Sequence, residues 1–243
     1  MPEDNTFIYI GLSRLHRNRA NVIQTLHTVN ALASIGLDVH LYLPPWKRHL
    51  DVSKRLAELG VDKNFHLHHS QFLHSRWRRY GRAPFFWLYG HELKSANVVY
   101  TRSVPISMGL SARNIYHHLE IHDSDELLKK NYLKNLPSLH KTRKIGILFP
   151  ISEAVKTFLI ENGADPSRIV VLPSGVNIDA FADVPPLDPK ALHEPKVLYM
   201  GRISRTRGLQ IFEAIAERSE AKIVLVGEVE DEPLPLRNIK LIP

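Results

Sequence analysis

Short apolar runs alternate with segments of helical periodicity along most of the chain. Residues 7–10 form an apolar run that ends at Gly11, which is typical of a buried strand. Apolar residues then recur at intervals of three and four between residues 18 and 35, and Gly36 follows as a natural C-cap, so this segment is predicted to be a helix. The pattern further predicts strands at 39–43, 65–68, 98–100, 115–121, 144–150 and 169–172, and helices at 51–59, 105–113, 124–134 and 152–162. Near-continuous apolar strands separated by helices indicate an α/β fold with a parallel, doubly wound sheet.

A proline-rich stretch at residues 183–195 interrupts this alternation and predicts a linker. The pattern then restarts, with strands at 196–200, 222–226 and 239–242 and a helix at 208–218. We therefore predict a Rossmann-like domain over residues 1–182 and the beginning of a second one over residues 196–243. Three strands and one helix cannot cover both faces of a parallel sheet. More polypeptide, from this chain or from a partner chain, is expected to complete the second domain.

Composition narrows the function classes only in part. The chain has 243 residues, 44% of them hydrophobic and 23% charged, as in ordinary globular proteins. It contains no cysteine, which excludes disulfides and thiolate metal sites. No apolar run is long enough to span a bilayer, and the acidic N-terminus does not resemble a signal peptide, so a cytoplasmic location is expected.

The formal net charge of +7 predicts a surface that attracts anions. Nucleotide phosphates, acidic lipids and nucleic acid would all be attracted to such a surface. No nucleic-acid-binding motif accompanies it, so nucleic acid is not an expected partner.

Ligands of open parallel sheets bind at the carboxyl ends of the strands. Residues suited to such binding follow four predicted strands: Gly11, His122 with Asp123, Gly201 with Arg202, and Gly227 with Glu228. His122 could bond a sugar hydroxyl or stabilise developing charge. From its position alone, an ordinary surface histidine is the better interpretation. A metal site built from His117, His118 and His122 is disfavoured, because adjacent strand residues point to opposite faces, and no metal site is predicted.

The segment from Gly201 to Gly208 combines a flexible turn with three cations, Arg202, Arg205 and Arg207. A glycine lets a phosphate approach the backbone, and the helix expected after Gly208 offers free N–H groups. The pattern thus fits either a diphosphate site or a solvated basic turn. It is not G-x-G-x-x-G, so a dinucleotide site has little support.

Residues 74–87 interleave arginines with five aromatic residues. This mixture suits contact with a membrane interface or a polyanion. It also suits an ordinary helix with aromatic residues inward and arginines outward, which is the favoured interpretation.

Residues 150–181 resemble a recurring stretch of glycosyltransferase family 4. The similar segment begins Pro-Ile-Ser-Glu-Ala-Val and ends Pro-Ser-Gly-Val-Asn-Ile-Asp-Ala-Phe, where the family carries Asn-Gly-Val-Asp and a nearby Phe. The sequence Val-Leu-Tyr-Met-Gly-Arg at residues 197–202 follows in the expected order. Arg19-Ala20-Asn21 resembles the Arg-Ala-Asn loop of some members, and the resemblance extends over nearly the whole chain.

The resemblance implies a GT-B fold, which is two Rossmann-like domains, and retaining, metal-independent transfer from a nucleotide sugar without a further cofactor. Arg202 matches a phosphate-binding arginine of the family, and Arg207 stands where lysine is usual. His122 matches the histidine that contacts the donor sugar. Gly201 and Gly11 are expected beside the donor phosphates, and Arg19, Asn21 and Asp123 beside the acceptor.

The expected acceptor is a glycan, a lipid-linked glycan or a small molecule, and peripheral contact with the inner face of the membrane fits the basic-aromatic segment. The first loop lacks the Gly-Gly pair that is common in the family. The E-x7-E motif of the donor site is expected beyond Pro243, so we expect this chain alone to transfer little sugar. The alternative is a non-catalytic subunit that needs a partner chain.

Overall fold

The computed structural model describes residues 5–17, 19–176, 178–186 and 196–242. The chain divides into two compact units, Met1–Val176 and Asn177–Pro243. Most of the predicted linker, residues 187–195, lies outside the described residues. Asn177, in the stretch that resembles glycosyltransferase family 4, also lies outside them.

The first unit is built on a six-stranded sheet in which every strand pairs in parallel with its neighbours. Along the sheet the strands are ordered β3-β2-β1-β4-β5-β6. The chain therefore leaves the central β1 first toward one edge and then, after β4, toward the other. The strands are β1 (Thr6–Ile10), β2 (Asp38–Leu43), β3 (His66–His69), β4 (Val98–Thr101), β5 (His117–Ile121) and β6 (Ile145–Pro150).

Seven helices accompany this sheet among the described residues. They are α1 (Ala20–Ser34), α2 (Val52–Glu58), α3 (Ala83–Ser95), α4 (Val104–Ser111), α5 (Ser124–Lys129), α6 (Leu136–Lys141) and α7 (Glu153–Glu161). The side chain of Ser152 accepts a hydrogen bond from the Val155 amide, so Ser152 is the N-cap of α7. No helix among the described residues has the length and apolar character required to cross a bilayer.

The alternation of side chains along β1 divides the core into two layers. Tyr9 lies in one cluster with Leu26 of α1. Ile8 and Ile10 point to the other face and pack with Phe85 of α3. Both faces of the central strand are covered, as expected for a doubly wound parallel sheet. The predicted α/β architecture is confirmed.

Several local predictions differ from the structure. Residues 169–172 do not form a strand, since Ile169 makes only an isolated bridge to Leu148 of β6. The helix predicted over 124–134 ends at Lys129 and is followed by a 3-10 turn, Tyr132–Lys134. Helix α6 was missed, and the first helix begins at Ala20.

Arg168 fixes the extended segment that runs beside β6. Its guanidinium donates to the carbonyl oxygens of Ile145 at 3.2 Å and Gly146 at 3.4 Å, and also to that of His140. It further pairs with Asp165 at 3.0 Å. Arg168 therefore fixes the start of the extended segment, residues 169–174, which runs beside β6.

The second unit contains a parallel sheet ordered β7-β8-β9. Its elements are β7 (Lys196–Met200), α8 (Leu209–Arg218), β8 (Lys222–Val226) and β9 (Ile239–Ile242), each close to its predicted position. Helix α8 packs on one face with Ile223 and Leu225 of β8. Among the described residues, Leu198 and Met200 on the opposite face remain 61% and 73% exposed.

Candidate functional site

The carboxyl ends of β1, β4 and β5 lie side by side in the first unit. Strand β1 is flanked by β2 and β4, so the direction in which the chain builds the sheet reverses there. Ligands of open α/β sheets bind at such reversal points, beyond the strand ends. Gly11, Arg102 and His122 each follow closely on one of these three strands.

A buried carboxylate organises this edge. Glu120 of β5 is only 6% exposed. Its Oε2 accepts a hydrogen bond from the Tyr100 hydroxyl at 2.7 Å, and its Oε1 pairs with Nε2 of His122. The other ring nitrogen of His122, Nδ1, has no hydrogen-bond partner among the residues the structure describes. His122 is therefore held at one nitrogen and leaves the other for a ligand.

The surroundings of Glu120 keep it ionised. Burial alone would raise the pKa of this carboxyl, but the hydrogen bonds from His122 and Tyr100 and the charges of His122 and Arg102 outweigh burial and lower the pKa. Burial raises the pKa of Tyr100 above its usual range, so its hydroxyl stays a donor. A carboxylate with fixed donors can orient an imidazole and stabilise positive charge on it.

The lowered pKa of Glu120 predicts a pH-dependent stability difference between the native chain and Glu120→Gln. A carboxyl with a lowered folded-state pKa contributes stability that is present above its unfolded pKa, about 4.3, and is lost as the pH falls through the folded value. In urea unfolding near pH 7 we expect the variant to be less stable by about 1.5–3 kcal/mol, as for hydrogen bonds to charged groups. The difference should shrink below about pH 4. A difference that stays constant across that range would contradict this account.

A chain of polar side chains extends from Glu120 across the first unit. Gln24 of α1 donates to Glu120 Oε1 at 3.5 Å and to the hydroxyl of Ser174 at 3.4 Å. Arg102 donates to the Gln24 side-chain oxygen at 3.0 Å. Ser174 belongs to the stretch of residues 150–181 that resembles glycosyltransferase family 4. Ser174 therefore lies near the same strand ends as His122.

The site residues predicted after β1 are Gly11, Arg19 and Asn21. Their contacts differ from those of the polar side chains around Glu120. A Cβ added at Gly11 would lie 2.9 Å from Leu43 Cδ2, so the backbone here passes close to β2. The Asn21 side-chain oxygen is buried and accepts no hydrogen bond from a described residue. Arg19 is exposed at the N-cap position of α1 without a capping side-chain bond.

Asp123, predicted beside the acceptor, caps a helix in the structure. Its carboxylate accepts a hydrogen bond from the Asp125 amide at 2.8 Å at the start of α5. This contact fixes the turn that carries His122.

His117 and His118 do not join His122. The His117 ring is buried, with Nε2 2.7 Å from the Ser107 hydroxyl and Nδ1 2.9 Å from the Ile115 carbonyl oxygen. Burial lowers the pKa of His117 to about 4. His118 lies on the opposite face and accepts from the Ile147 amide. The prediction that these neighbours face opposite ways is confirmed.

The second unit has its own glycine-lined strand ends. Gly201 donates its amide to Val226 and Gly227 donates to Ile242, each at 2.9 Å. A Cβ at Gly227 would lie 2.3 Å from the carbonyl oxygen of Gly201, so only glycine fits there. The backbones that follow β7 and β8 therefore pack directly against each other.

The three arginines after Gly201 have different surroundings. Arg205 pairs through both terminal nitrogens with the buried Glu213, at 2.9 and 3.2 Å, and so holds its loop to α8. Arg202 makes an exposed pair with Glu230 at 3.3 Å. Arg207 is exposed and makes no ion pair with a described residue. Arg202 and Arg207 are consequently the two accessible for a phosphate.

Sequence reasoning missed Glu120, Tyr100, Gln24 and Arg102. One signal for Glu120 was present, because it is a lone acidic residue inside a predicted buried strand. Nothing local marked Tyr100 or Gln24, which come from other elements.

The basic-aromatic segment 74–87 is helical in two pieces, a 3-10 helix Ser75–Tyr80 and the start of α3. Phe85 and Phe86 are buried, whereas Trp87 is 85% exposed. The surface of α3 around Trp87 borders a shallow cavity of about 860 Å³ that also contacts Arg113 and Lys94.

A protein-family model matches most of the chain. The model described as Glycosyltransferase Family 4 matches residues 22–180, which include Tyr100, Glu120, His122 and Ser174. No curated protein matches the chain.

Several solved structures share the fold. HepE of Anabaena, in complex with UDP and glucose, is 14% identical with a TM-score of 0.62 over 92% of this chain and 61% of its own. A glycosyltransferase of Rickettsia africae is 16% identical with a TM-score of 0.56 over the same shares. A UDP-N-acetylglucosamine 2-epimerase of Rickettsia bellii is 12% identical with a TM-score of 0.56, covering 98% of this chain and 68% of its own. The predicted GT-B fold is confirmed, and the chain spans about 61% of the length of the first two structures.

Proposed function

Because the chain belongs to Glycosyltransferase Family 4, we propose that it acts in the transfer of a sugar from a nucleotide-sugar donor to an acceptor. The observation that carries the proposal is the Glu120–His122 pair at the carboxyl ends of the central strands, within the matched residues. Solved structures of similar fold include HepE of Anabaena with UDP-glucose, which supports a nucleotide sugar as the co-substrate.

His122 is the proposed catalytic residue. With Nε2 bonded to Glu120, Nδ1 of the ring is left to hydrogen-bond a sugar hydroxyl. When the sugar develops positive charge during transfer, the nearby Glu120 carboxylate also favours that charge electrostatically. Tyr100 holds Glu120 in place, so it is a positioning residue.

Arg202 and Arg207 are the proposed contacts of the donor diphosphate. Gly201 lets the phosphates approach the backbone, and the exposed guanidiniums offset the charge of the departing nucleotide. Arg205 is left out of this role, because Glu213 already occupies its guanidinium.

The residues of the first unit complete the proposal. Gly11 lies beside the donor phosphates, and Arg19, Asn21 and Asp123 lie on the acceptor side. The unsatisfied side-chain oxygen of Asn21 supports a polar ligand there. The transfer proceeds with retention, without a metal ion and without a cofactor, as the family resemblance implies, in the cytoplasm.

The acceptor is proposed to be a glycan, a lipid-linked glycan or a small molecule. Exposed Trp87 among basic residues supports peripheral contact with an anionic membrane. Cosedimentation with anionic liposomes at low salt should fall on Trp87→Ala, and equal retention of the variant would remove the membrane contact.

Donor binding is tested with Arg202→Ala. Loss of one charged phosphate contact is expected to weaken UDP binding about 10-fold or more, since hydrogen bonds to charged groups contribute about 1.5–3 kcal/mol. Binding is measured by ligand-observed NMR or calorimetry with UDP and UDP-glucose. Arg237→Ala is the matched control, because Arg237 is an exposed arginine paired with Glu220 in the same unit.

Equal loss in both variants would indicate general charge attraction and would contradict a role for Arg202. We also expect the 243-residue chain alone to transfer little sugar. Robust transfer by this chain would contradict that expectation without affecting the donor site.

A second candidate function rests on the exposed face of the second sheet. Leu198 and Met200 lie on a face that parallel sheets normally cover. A partner chain that covers this face would make the protein a transferase-like subunit. Isolation from its natural source distinguishes the two, since a partner in fixed ratio supports the subunit, and a longer single polypeptide supports the enzyme.

A further inference from the structure

A group of histidines lies at the edge of the first sheet, away from the proposed transfer site. Asp38 begins β2, and His40 lies two residues further on the same face. His66 begins the edge strand β3 and is directly opposite His40 in the parallel register. The cluster is at the amino ends of the strands, whereas His122 follows a carboxyl end. It is therefore independent of the proposed transfer function.

We propose that Asp38, His40 and His66 bind a divalent transition-metal ion, with Zn²⁺ as the best fit. One donor atom from each residue lies within 4.8 Å of the other two. No metal site was predicted from the sequence, because these residues are spread over two strands.

The spacing of the donor atoms matches a tetrahedral zinc site. His40 Nε2 lies 3.2 Å from one Asp38 oxygen, and His66 Nε2 lies 3.3 Å from the other. Ligands about 2.0–2.1 Å from a tetrahedral ion are about 3.3 Å apart. Each contact between an imidazole nitrogen and the Asp38 carboxylate has about this separation, and the donor atoms of all three residues lie within 4.8 Å of one another.

The outer contacts of His40 also resemble those of a metal ligand. Nδ1 of His40 lies 3.1 Å from Nε2 of His68 and 4.0 Å from a Glu92 oxygen of α3. Metal-bound histidines commonly donate their second ring N–H to such an acceptor, which fixes the tautomer and aims the free lone pair at the metal.

Glu92 is held in turn. The Tyr42 hydroxyl donates to the Glu92 oxygen at 2.6 Å, so the carboxylate that faces His40 has a fixed position. Metal binding here would join β3 to β2. Edge strands have only one paired neighbour, so a metal bridge would stabilise the least supported strand at this side of the sheet.

The choice of metal follows from the donor atoms. Two imidazoles and one carboxylate suit zinc, copper or nickel, whereas Mg²⁺ and Ca²⁺ prefer oxygen ligands alone. Three protein ligands leave a fourth position for water. Because the side chain of His66 is 64% exposed, an ion can enter from solvent.

The test is a titration of the chelator-treated chain with Co²⁺, whose visible absorption reports coordination, followed by competition with Zn²⁺. We expect one equivalent to bind, and His66→Asn to raise Kd more than about 10-fold, since even outer partners of metal ligands account for 10–100-fold. His69→Asn is the matched control, because His69 is in the same strand and packs against Trp46 instead. Asp38→Asn should behave like His66→Asn.

Equal metal binding by His66→Asn and His69→Asn would overturn the proposal. So would a titration in which no single equivalent of Co²⁺ binds more tightly than the Co²⁺ bound by the other histidines of the chain. Circular dichroism of the exposed-site variants shows whether they are folded. UDP binding by the same variants should be unchanged, so failure of the metal site and failure of the donor site are separate results.

Discussion

Replacement of His122 by alanine is expected to lower kcat for sugar transfer by about 10²–10³-fold, the range seen when one group that stabilises a developing charge is removed. His122 is the group at the central strand ends that has a free ring nitrogen and a buried carboxylate behind it. The measurement is steady-state sugar transfer by the variant and by the unchanged protein, each in the length that the natural source produces. Because His122 is only partly buried, the variant should remain folded.

The matched control is His91→Ala, which removes an exposed histidine from α3 and should leave kcat unchanged. A His122→Ala variant with native kcat would contradict the catalytic assignment. A raised KM at constant kcat would place His122 in binding alone.

Glu120→Gln separates positioning from direct contact. The amide keeps the shape of the side chain and can still accept from Tyr100, but it carries no charge. We expect kcat to fall about 10-fold or more, equivalent to one charge-assisted hydrogen bond. The acid side of the pH profile of kcat should also change, because an amide does not titrate in place of the Glu120 carboxyl, whose pKa is lowered. A purely structural role for Glu120 would leave that profile unaltered.

The pattern of apolar residues predicted the central strands of the first sheet well because strands such as β1 are buried on both faces. The same reasoning failed at residues 169–172, which are equally apolar. This segment follows β6 through two backbone bonds, from Val170 to Leu148 and from Leu172 to Pro150, without forming a strand. Periodicity measures burial and cannot count the hydrogen bonds that define a strand.

The candidate site was only half accessible to sequence reasoning. His122 and Arg202 were found because they follow strands and match a family pattern. The sequence could not show that Arg205 is paired with Glu213. It therefore could not show that Arg202 and Arg207 are the arginines left accessible. It also could not show that Tyr100, twenty residues before Glu120, donates to that carboxylate. Partnerships between distant residues depend on strand order, which no local pattern contains.

The largest expected effect on stability belongs to Gly227→Ala. The new Cβ would lie 2.3 Å from the Gly201 carbonyl oxygen, which is backbone and cannot rotate away. Gly227 also has φ of 130°, a conformation that strains any L-residue. Strain of about 1–3 kcal/mol and overpacking of similar size together predict a loss of about 3 kcal/mol or more.

This loss should be confined to the second unit. Hydrogen exchange followed by mass spectrometry is the suitable measurement, because all three tryptophans lie in the first unit and fluorescence would miss the change. We expect faster exchange in β7, β8 and β9 and native protection in β1 and β4. Gly175→Ala is the control, since a Cβ there meets nothing within 4 Å. Gly227 contacts the backbone next to Arg202. The variant should therefore lose UDP binding together with the protection of β7 from hydrogen exchange. Native exchange in the variant would mean that the two strand ends can separate without loss of stability, and the close approach of Gly227 to Gly201 would then not explain why glycine stands at residue 227.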